Sequence, residues 1–410
     1  MFKVRRLLTA ALVAMSVIAG GCSTTTPDAR MSPAEFVTQQ LTAERTIRAY
    51  GGSAAERRVR LAERARSAYE YDFDLSGLPA YEPKHQVAGT IRIWGNNYVG
   101  DSGLAEQWRD AFQQFHPDVT IEFVLPTAAV AAPALSFGLA DIGMNHGLSF
   151  YDILGHVRIL GYEPTGFSVV TGSYDIGGWQ NSFAIVVHKD NPLSKITMRQ
   201  LDGVFGSRRA GGWRGTRWDI TAARGPEEDI RTWNQLGLQG DWAGARINPY
   251  GYSLRYATAL EFSNKVLHAS DKWNENLLAY GNYIDEDGVR TLQADQIIQS
   301  VKNDPLGIAY IRWRPYYAED VKVLALAQDD DGPYYEFTVD NLQARRYPLW
   351  GDQSFWVSAK PGETIEAATA EFIRFVLSRE GQTLVMEDGK YLPLPASWVS
   401  QELNKLSGLE

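Results

Sequence analysis

From Val87 onward the sequence predicts an α/β fold, and three observations carry the prediction. Short runs of strand character alternate with segments of helical period. Their order (strand, helix, strand, helix, strand) and spacing fit a parallel sheet with right-handed crossovers. The composition, 44% hydrophobic and 22% charged, is that of a globular chain with an ordinary core. A length of 410 residues allows about two to three domains.

The elements follow in order. Gly89 to Gly95 alternates apolar positions and ends in a Gly–Asn loop. Leu104, Trp108, Phe112 and Phe115 recur at helical spacing, and His116-Pro117-Asp118 stops that helix. Val119 to Val124 reads as a second strand, the Ala-rich stretch from Thr127 to Leu139 as a helix, and Ala140 to Met144 as a third strand. Ligands of such sheets bind beyond the carboxyl ends of the strands. The loops of interest are therefore Gly95 to Ser102 and Met144 to Ser149. Further along, Phe183 to His188 reads as a strand and Thr197 to Phe205 as a short capped helix. Residues 206–230, rich in Gly, Arg and Trp, read as a loop insertion. Helices are expected at Ala257 to Leu267, Ala294 to Asn303 and Ile365 to Leu377, and strands at Gly307 to Ile311 and Val321 to Leu326.

The amino-terminal part speaks to compartment. Lys3, Arg5 and Arg6 precede an apolar run, Leu7 to Gly20, that is too short to span a bilayer as a helix. Ala19-Gly20-Gly21 then supplies small residues before Cys22, the only cysteine of the chain. This is the layout of a secretory signal, residues 1–21, followed by a lipid-accepting thiol. It resembles the bacterial lipobox, with Ala19 where that box usually has Leu. The expectation is an exported protein on the periplasmic side of a bacterial membrane, anchored through lipid at Cys22. By analogy with other lipoproteins, Ser23 points toward the outer membrane. Residues 22–86 read as a tether and helical anchor region, with Ser32-Pro33-Ala34-Glu35 as a helix start and helices around 33–49 and 53–70.

Charge narrows the partners. The chain carries a net charge of −9. Loss of residues 1–21 removes three cations, leaving 37 basic residues against 49 acidic ones and a net charge of −12. Nucleic acid is excluded as a partner, because phosphate backbones are held by clustered Lys and Arg. A small anion is not excluded, since a few backbone N–H groups and one Arg suffice to hold it.

Catalytic signatures are missing. There is no His-Glu-x-x-His, no Gly-x-Ser-x-Gly and no phosphate-cradling Gly-x-x-x-x-Gly-Lys-Ser/Thr. Gly211 to Thr216 is Gly-rich but lacks Lys and a preceding strand. Asp285-Glu286-Asp287-Gly288 and Asp329-Asp330-Asp331-Gly332 are acidic turns without the ligand spacing of a calcium loop. No enzyme activity, cofactor or metal is expected.

Six stretches, in order, resemble one family, the phosphate-type solute-binding proteins of ABC importers within the type II periplasmic binding protein superfamily. They are Gly95-Asn96-Asn97 with Leu104 to Val119; Ala140 to Met144; Ala184 to Leu193 leading into Thr197 to Phe205; Trp233 to Gly237 with Ile247 to Gly251; Asp304 to Tyr310; and Tyr347-Pro348-Leu349 with Ser378 to Gln382 and Tyr391 to Leu394. The resemblance covers residues 88–397. It implies a two-lobed α/β fold with a cleft between hinged lobes. Lobe one is expected at 87–175 plus 346–410 and lobe two at 176–345.

The family holds its oxyanion with hydroxyls and backbone N–H groups at helix starts, one Arg and one acidic residue. In the first loop the matching positions offer Asn97, Tyr98 and Ser102; here Ser102 is either a ligand donor or the cap of the next helix. In the second loop Asn145 and His146 stand where the family has Ser or Asp, and His146 is either a donor to an anion or a histidine satisfied within the fold. The third loop departs most. Tyr252 falls where the family has Arg, and Arg255, Tyr256 and Ala257 fall on its Ser–Gly turn, with only Thr258 retained. Arg255 is either the missing cation from a shifted position or a solvated helix-start residue. Tyr98, Trp213, Trp218, Tyr250, Tyr252 and Tyr256 suggest a larger aromatic pocket, with core packing as the plainer reading for most of them.

The function expected is a monomeric, non-catalytic, lipid-anchored solute-binding protein. It captures phosphate or a related small oxyanion and presents it to an ABC permease. A binder of another solute, such as a sugar, and a non-transport surface scaffold on the same fold are the alternatives.

Overall fold

The computed structural model describes residues 68–174, 176, 182–284 and 290–410. The signal, Cys22 and the helix expected around 33–49 lie outside the described residues. The expected helix around 53–70 does so up to its last three residues, which are non-helical.

Ten strands build two sheets. They are β1 (Gly89–Gly95), β2 (Val119–Val124), β3 (Ile142–Asn145), β4 (Thr165–Thr171), β5 (Phe183–His188), β6 (Asn248–Tyr252), β7 (Leu278–Tyr280), β8 (Gly307–Arg312), β9 (Val321–Val323) and β10 (Asp352–Val357). The first sheet has the order β2-β1-β3-β10-β4 and the second β7-β6-β8-β5-β9. In each, three neighbouring strands pair in parallel, as expected in the first, where Gly89 lies opposite Val119, and without having been predicted in the second, where Ala309 lies opposite Tyr250 and β6 and β7 were not read as strands. Each sheet also holds one reversed strand that the sequence reading did not foresee. β10 lies antiparallel between β3 and β4, and β5 antiparallel between β8 and β9. Both are the strands that enter a sheet from the other lobe, so they arrive from the cleft side and run the opposite way. β5 (Phe-Ala-Ile-Val-Val-His) is buried over its first five residues, the signature of a strand covered on both faces.

Each sheet has its own apolar core, and together they form the two-lobed arrangement. One cluster gathers Ile91, Trp108, Phe112, Phe355 and Phe375, the other Phe183, Val204, Phe262, Ile297 and Tyr310. Two crossings between the lobes, the one after β4 and the one before β10, are tied together. Gly172 N donates to Gly351 O (3.0 Å), Phe183 N to Leu349 O (2.9 Å) and Gly351 N to Ser182 Oγ (2.8 Å). Residues 69–81 run along both cores, with a turn at 76–78 closed by Leu78 N donating to Leu75 O (3.0 Å). Tyr69 belongs to the second cluster, Leu75, Leu78 and Tyr81 to the first. Tyr81 is pinned by its hydroxyl, 2.7 Å from His116 Nε2 and donating to Glu371 Oε2 at 2.9 Å.

Helices frame the cleft: α1 (Asn97–Ser102), α2 (Leu104–Phe115), α3 (Phe150–Leu160), α4 (Met198–Phe205) and α5 (Ala257–Val266). α1 stands where a loop was expected, because Asn96 is an N-cap whose side chain accepts from Tyr98 N. α4 begins as expected at Thr197, which forms a capping box with Gln200. The helix expected over Thr127 to Leu139 is shorter: a single 3-10 turn, Ala128–Val130, leads into Ala131–Ser136. Gly138, at φ +65°, ends it in the left-handed region. The insertion 206–230 carries a small hairpin, Gly212–Arg214 paired with Arg217–Asp219. No helix among the described residues is long and apolar enough to cross a membrane.

Candidate ligand-binding site

The carboxyl ends of β1, β3 and β4 and the start of β10 share one edge of the first sheet; the ends of β6 and β8 and the start of β5 share the facing edge of the second. That places Asn96, Asn145, His146 and Asp352 opposite Tyr252, Arg312 and Phe183. Gly95 makes the turn out of β1. Its φ is +150°, a Cβ there would stand 2.0 Å from Met144 O, and the next residue donates from Asn96 N to that same carbonyl at 2.8 Å.

The lobes meet through α5. His146 Nδ1, from the first lobe, lies 3.5 Å from Glu261 Oε2 on α5. Glu261 also pairs with the Arg312 guanidinium at the end of β8. Arg312 lies over the Phe183 ring, 3.9 Å from its centroid, a cation–π contact made in a buried setting. Its backbone N–H donates to the Tyr252 hydroxyl at 2.8 Å. One helical turn beyond Glu261, Lys265 Nζ sits 5.0 Å over the Trp350 ring. Asn264 Nδ2 on the same helix reaches back to Leu148 O of the first lobe (3.4 Å). A second bridge closes the rim. The hairpin of the insertion places Trp213 against Phe150 of α3, ring centroids 4.6 Å apart, and Thr216 N donates to Glu163 Oε1 at 2.6 Å.

Burial governs the titrating groups. It pushes His146 below the usual histidine range; Arg312 pushes the same way, while Glu261 and Asp152 oppose it. It also pushes Lys265 down, against the pull of Glu261 and Asp352, and drives the Tyr252 hydroxyl up to about 12. For His146 the sign is fixed by the lowered value: the unfolded chain binds the extra proton first. The stability from a neutral His146 is whole above about pH 6.5 and drains as pH falls from there through the folded-state value. The groups facing it are Glu261 of α5, Arg312 of β8 and Asp152 of α3. Urea midpoints measured from pH 7.5 down to 5.5 are expected to fall in the wild type and to fall less steeply in His146→Asn. Equal slopes would contradict a buried, neutral His146.

The residues singled out from the sequence divide by location. His146 and Tyr252 reach the junction. Asn145 stands beside His146, its Oδ1 accepting from His146 N (2.7 Å) and its Nδ2 donating to Ala128 O (3.2 Å). Thr258 is half-buried in the first turn of α5, whereas Arg255 precedes that helix on an exposed stretch. Asn97 donates within α1 to Asp101 (2.6 Å), and Tyr98 packs against the first-lobe core. Ser102 is the last residue of α1; its Oγ donates to Val99 O (2.9 Å) and accepts from Leu104 N (3.2 Å), while Gly103 stands at the start of α2. Of the six aromatics, Tyr250 and Tyr252 are buried in the second core and Trp218 is exposed. Glu261, Lys265 and Arg312 were not singled out. Arg312 had a legible signal, since it ends a buried strand at the carboxyl edge where ligands bind. Glu261 had a fainter one, a carboxylate among the buried positions Ala259, Phe262, Ser263 and Val266 of one helix.

Residues 179–380 match the model of the PBP superfamily domain. The chain carries a PBP superfamily domain. The match starts at the first crossing, spans the second lobe and returns through β10, so the α/β two-lobed fold read from the sequence is that of the PBP superfamily. The chain is 28% identical over 330 residues to the phosphate-binding protein PstS of Pseudomonas aeruginosa, an alignment covering 80% of this chain and 90% of that protein. Among solved structures it is similar to PstS from Borrelia burgdorferi (TM-score 0.45, 15% identity, 75% of this chain and 99% of that one). It is also similar to an ABC-type phosphate transport receptor from Vibrio cholerae (TM-score 0.44, 18% identity, 74% and 100%).

Proposed function

We propose that this PBP-superfamily protein is an exported, lipid-anchored, monomeric solute-binding protein that captures phosphate or a related small oxyanion between its lobes for an ABC importer. The observation that carries the reading is the placement of Arg312. It is a guanidinium at the carboxyl end of a central strand, facing the other lobe, in the one region where the strand ends of both sheets converge. A guanidinium presents a planar fork of donors that matches the oxygens of an oxyanion. The likeness to a phosphate-binding protein along most of both chains supports phosphate as the first ligand to try. Asn145, His146, Tyr252 and Thr258 are the neighbouring ligand contacts of this reading. In this reading Arg312 supplies the cation, and Arg255, on its exposed stretch, takes the second of its two sequence readings, a solvated helix-start residue.

The lipid at Cys22 and the permease belong to this reading as partners. The signal layout ahead of Cys22 supports the first, and the likeness to the phosphate-binding protein PstS supports the second. The test is a calorimetric titration of the mature protein with phosphate, sulfate, molybdate and a panel of sugars. Phosphate is expected to give saturable heat and a raised melting temperature. Arg312→Ala is expected to weaken that binding by about 1.5–3 kcal/mol, the worth of a charged hydrogen bond. Heat from a sugar and none from millimolar phosphate would replace the oxyanion with the alternative ligand. Silence across the whole panel would leave the surface scaffold.

A further inference from the structure

The guanidinium that the oxyanion reading needs already has an anionic partner. Glu261 sits in mid-helix, where Ala259, Phe262, Ser263 and Val266 around it are buried, and it is itself only 6% exposed. A carboxylate there is tolerated only when paired, because desolvating an unpaired charge is costly. It is paired with Arg312 of β8, and the neutral His146 of the loop after β3 approaches it from the other lobe at 3.5 Å. Lys265, four residues along α5, adds a further cation acting on it. A carboxylate offers a guanidinium the same pair of oxygens that a phosphate does.

We infer that Glu261 is the resident occupant of the oxyanion seat: its carboxylate holds the Arg312 fork in the absence of ligand, and an incoming anion takes that fork only by displacing it. This rests on the oxyanion reading above. The seat is then a gated one. A displaced Glu261 carboxylate remains on the wall of a buried site beside a second negative charge, which opposes binding. The same contact joins the lobes without ligand, since Glu261 belongs to the second lobe and His146 to the first. Glu261 thus sets the affinity for anions from a helix position that the sequence pattern assigns to the core.

The experiment is calorimetric titration of inorganic phosphate into the mature wild type and Glu261→Gln, each checked for folding by circular dichroism and thermal melting. The amide keeps the shape of the carboxylate and removes its charge. Glu261→Gln is expected to bind phosphate at least about tenfold more tightly than the wild type, the least that relief from one buried like charge should give. Equal affinities would overturn the inference and leave the phosphate reading standing. Failure of both proteins to bind phosphate would overturn that reading and the inference with it. Should Glu261→Gln not fold, Glu261→Ser is titrated in its place with the same expected tightening. Should neither fold, a wild-type structure at saturating phosphate decides: Glu261 turned away from Arg312 supports the inference, and the pair intact overturns it.

Discussion

Arg345→Ala is expected to lower the unfolding free energy by about 3–5 kcal/mol, the range for leaving a buried charge without its partner. Arg345 lies on the return crossing from the second lobe to the first, and its side chain is fully buried. The guanidinium donates to Thr171 Oγ1 (3.0 Å) and Ser168 Oγ (3.2 Å) on β4 and to Asp352 Oδ1 (3.0 Å) at the start of β10. Its faces meet the rings of Trp398 (4.5 Å) and Trp350 (5.4 Å). One side chain therefore joins the crossing to two strands of the first sheet, at the edge that lines the cleft. Truncation leaves Asp352 with the Ser168 hydroxyl (2.7 Å) in place of its cation and opens a void between two indoles. Arg345→Lys should recover only part of the loss, because a point charge cannot serve three acceptors in a planar fork. Urea denaturation read by tryptophan fluorescence measures both variants. A shift below about 1 kcal/mol for the alanine variant would mean that the crossing is held by its backbone bonds alone.

The second large effect belongs to α5. Phe262→Ala is expected to cost about 3–5 kcal/mol, the range for deleting a buried aromatic ring. Phe262 is fully buried and stacks on Tyr310, ring centroids 3.8 Å apart at 14° between planes, with Phe183 and Phe205 meeting it edge-on. Phe262 is adjacent in sequence to Glu261, and Phe183 carries the Arg312 cation on its face. The packing that stabilises the second lobe is thus also what aims the charged pair at the first lobe. The same denaturation assay checks the stability loss. The variant should also lose binding strength for phosphate at temperatures where it remains folded. A stability loss with unchanged affinity would separate the core from the site.

How much of this was legible in the sequence depends on the kind of signal. The alternation from Gly89 to Met144 located three strands and the long helix between them, because burial on one face of a helix or of a strand leaves a period in the sequence. The reversed strands left no such trace. Asp352–Val357 reads like any short strand, and its direction is set by the crossing that delivers it. α1 was hidden because its start rests on one Asn side chain, Asn96, inside a Gly–Asn stretch that equally suits a turn.

The site was legible at the level of loops more than of side chains. Reading beyond the strand ends singled out His146, and the family resemblance singled out Tyr252. The cation was sought in the loop before α5, at Arg255, when a different strand brings Arg312 to the junction from more than fifty residues away. Contacts that close between lobes have no sequence period, so Glu261 and His146, more than a hundred residues apart, could not be paired before their spatial proximity was known.

The most direct measurement is a crystal structure of the mature protein grown with saturating phosphate. The account predicts a tetrahedral anion between the lobes, within hydrogen-bond distance of the Arg312 guanidinium and of donors from the His146 loop. Phosphate bound only on the outer surface, with the junction between His146 and Arg312 unchanged, would contradict it.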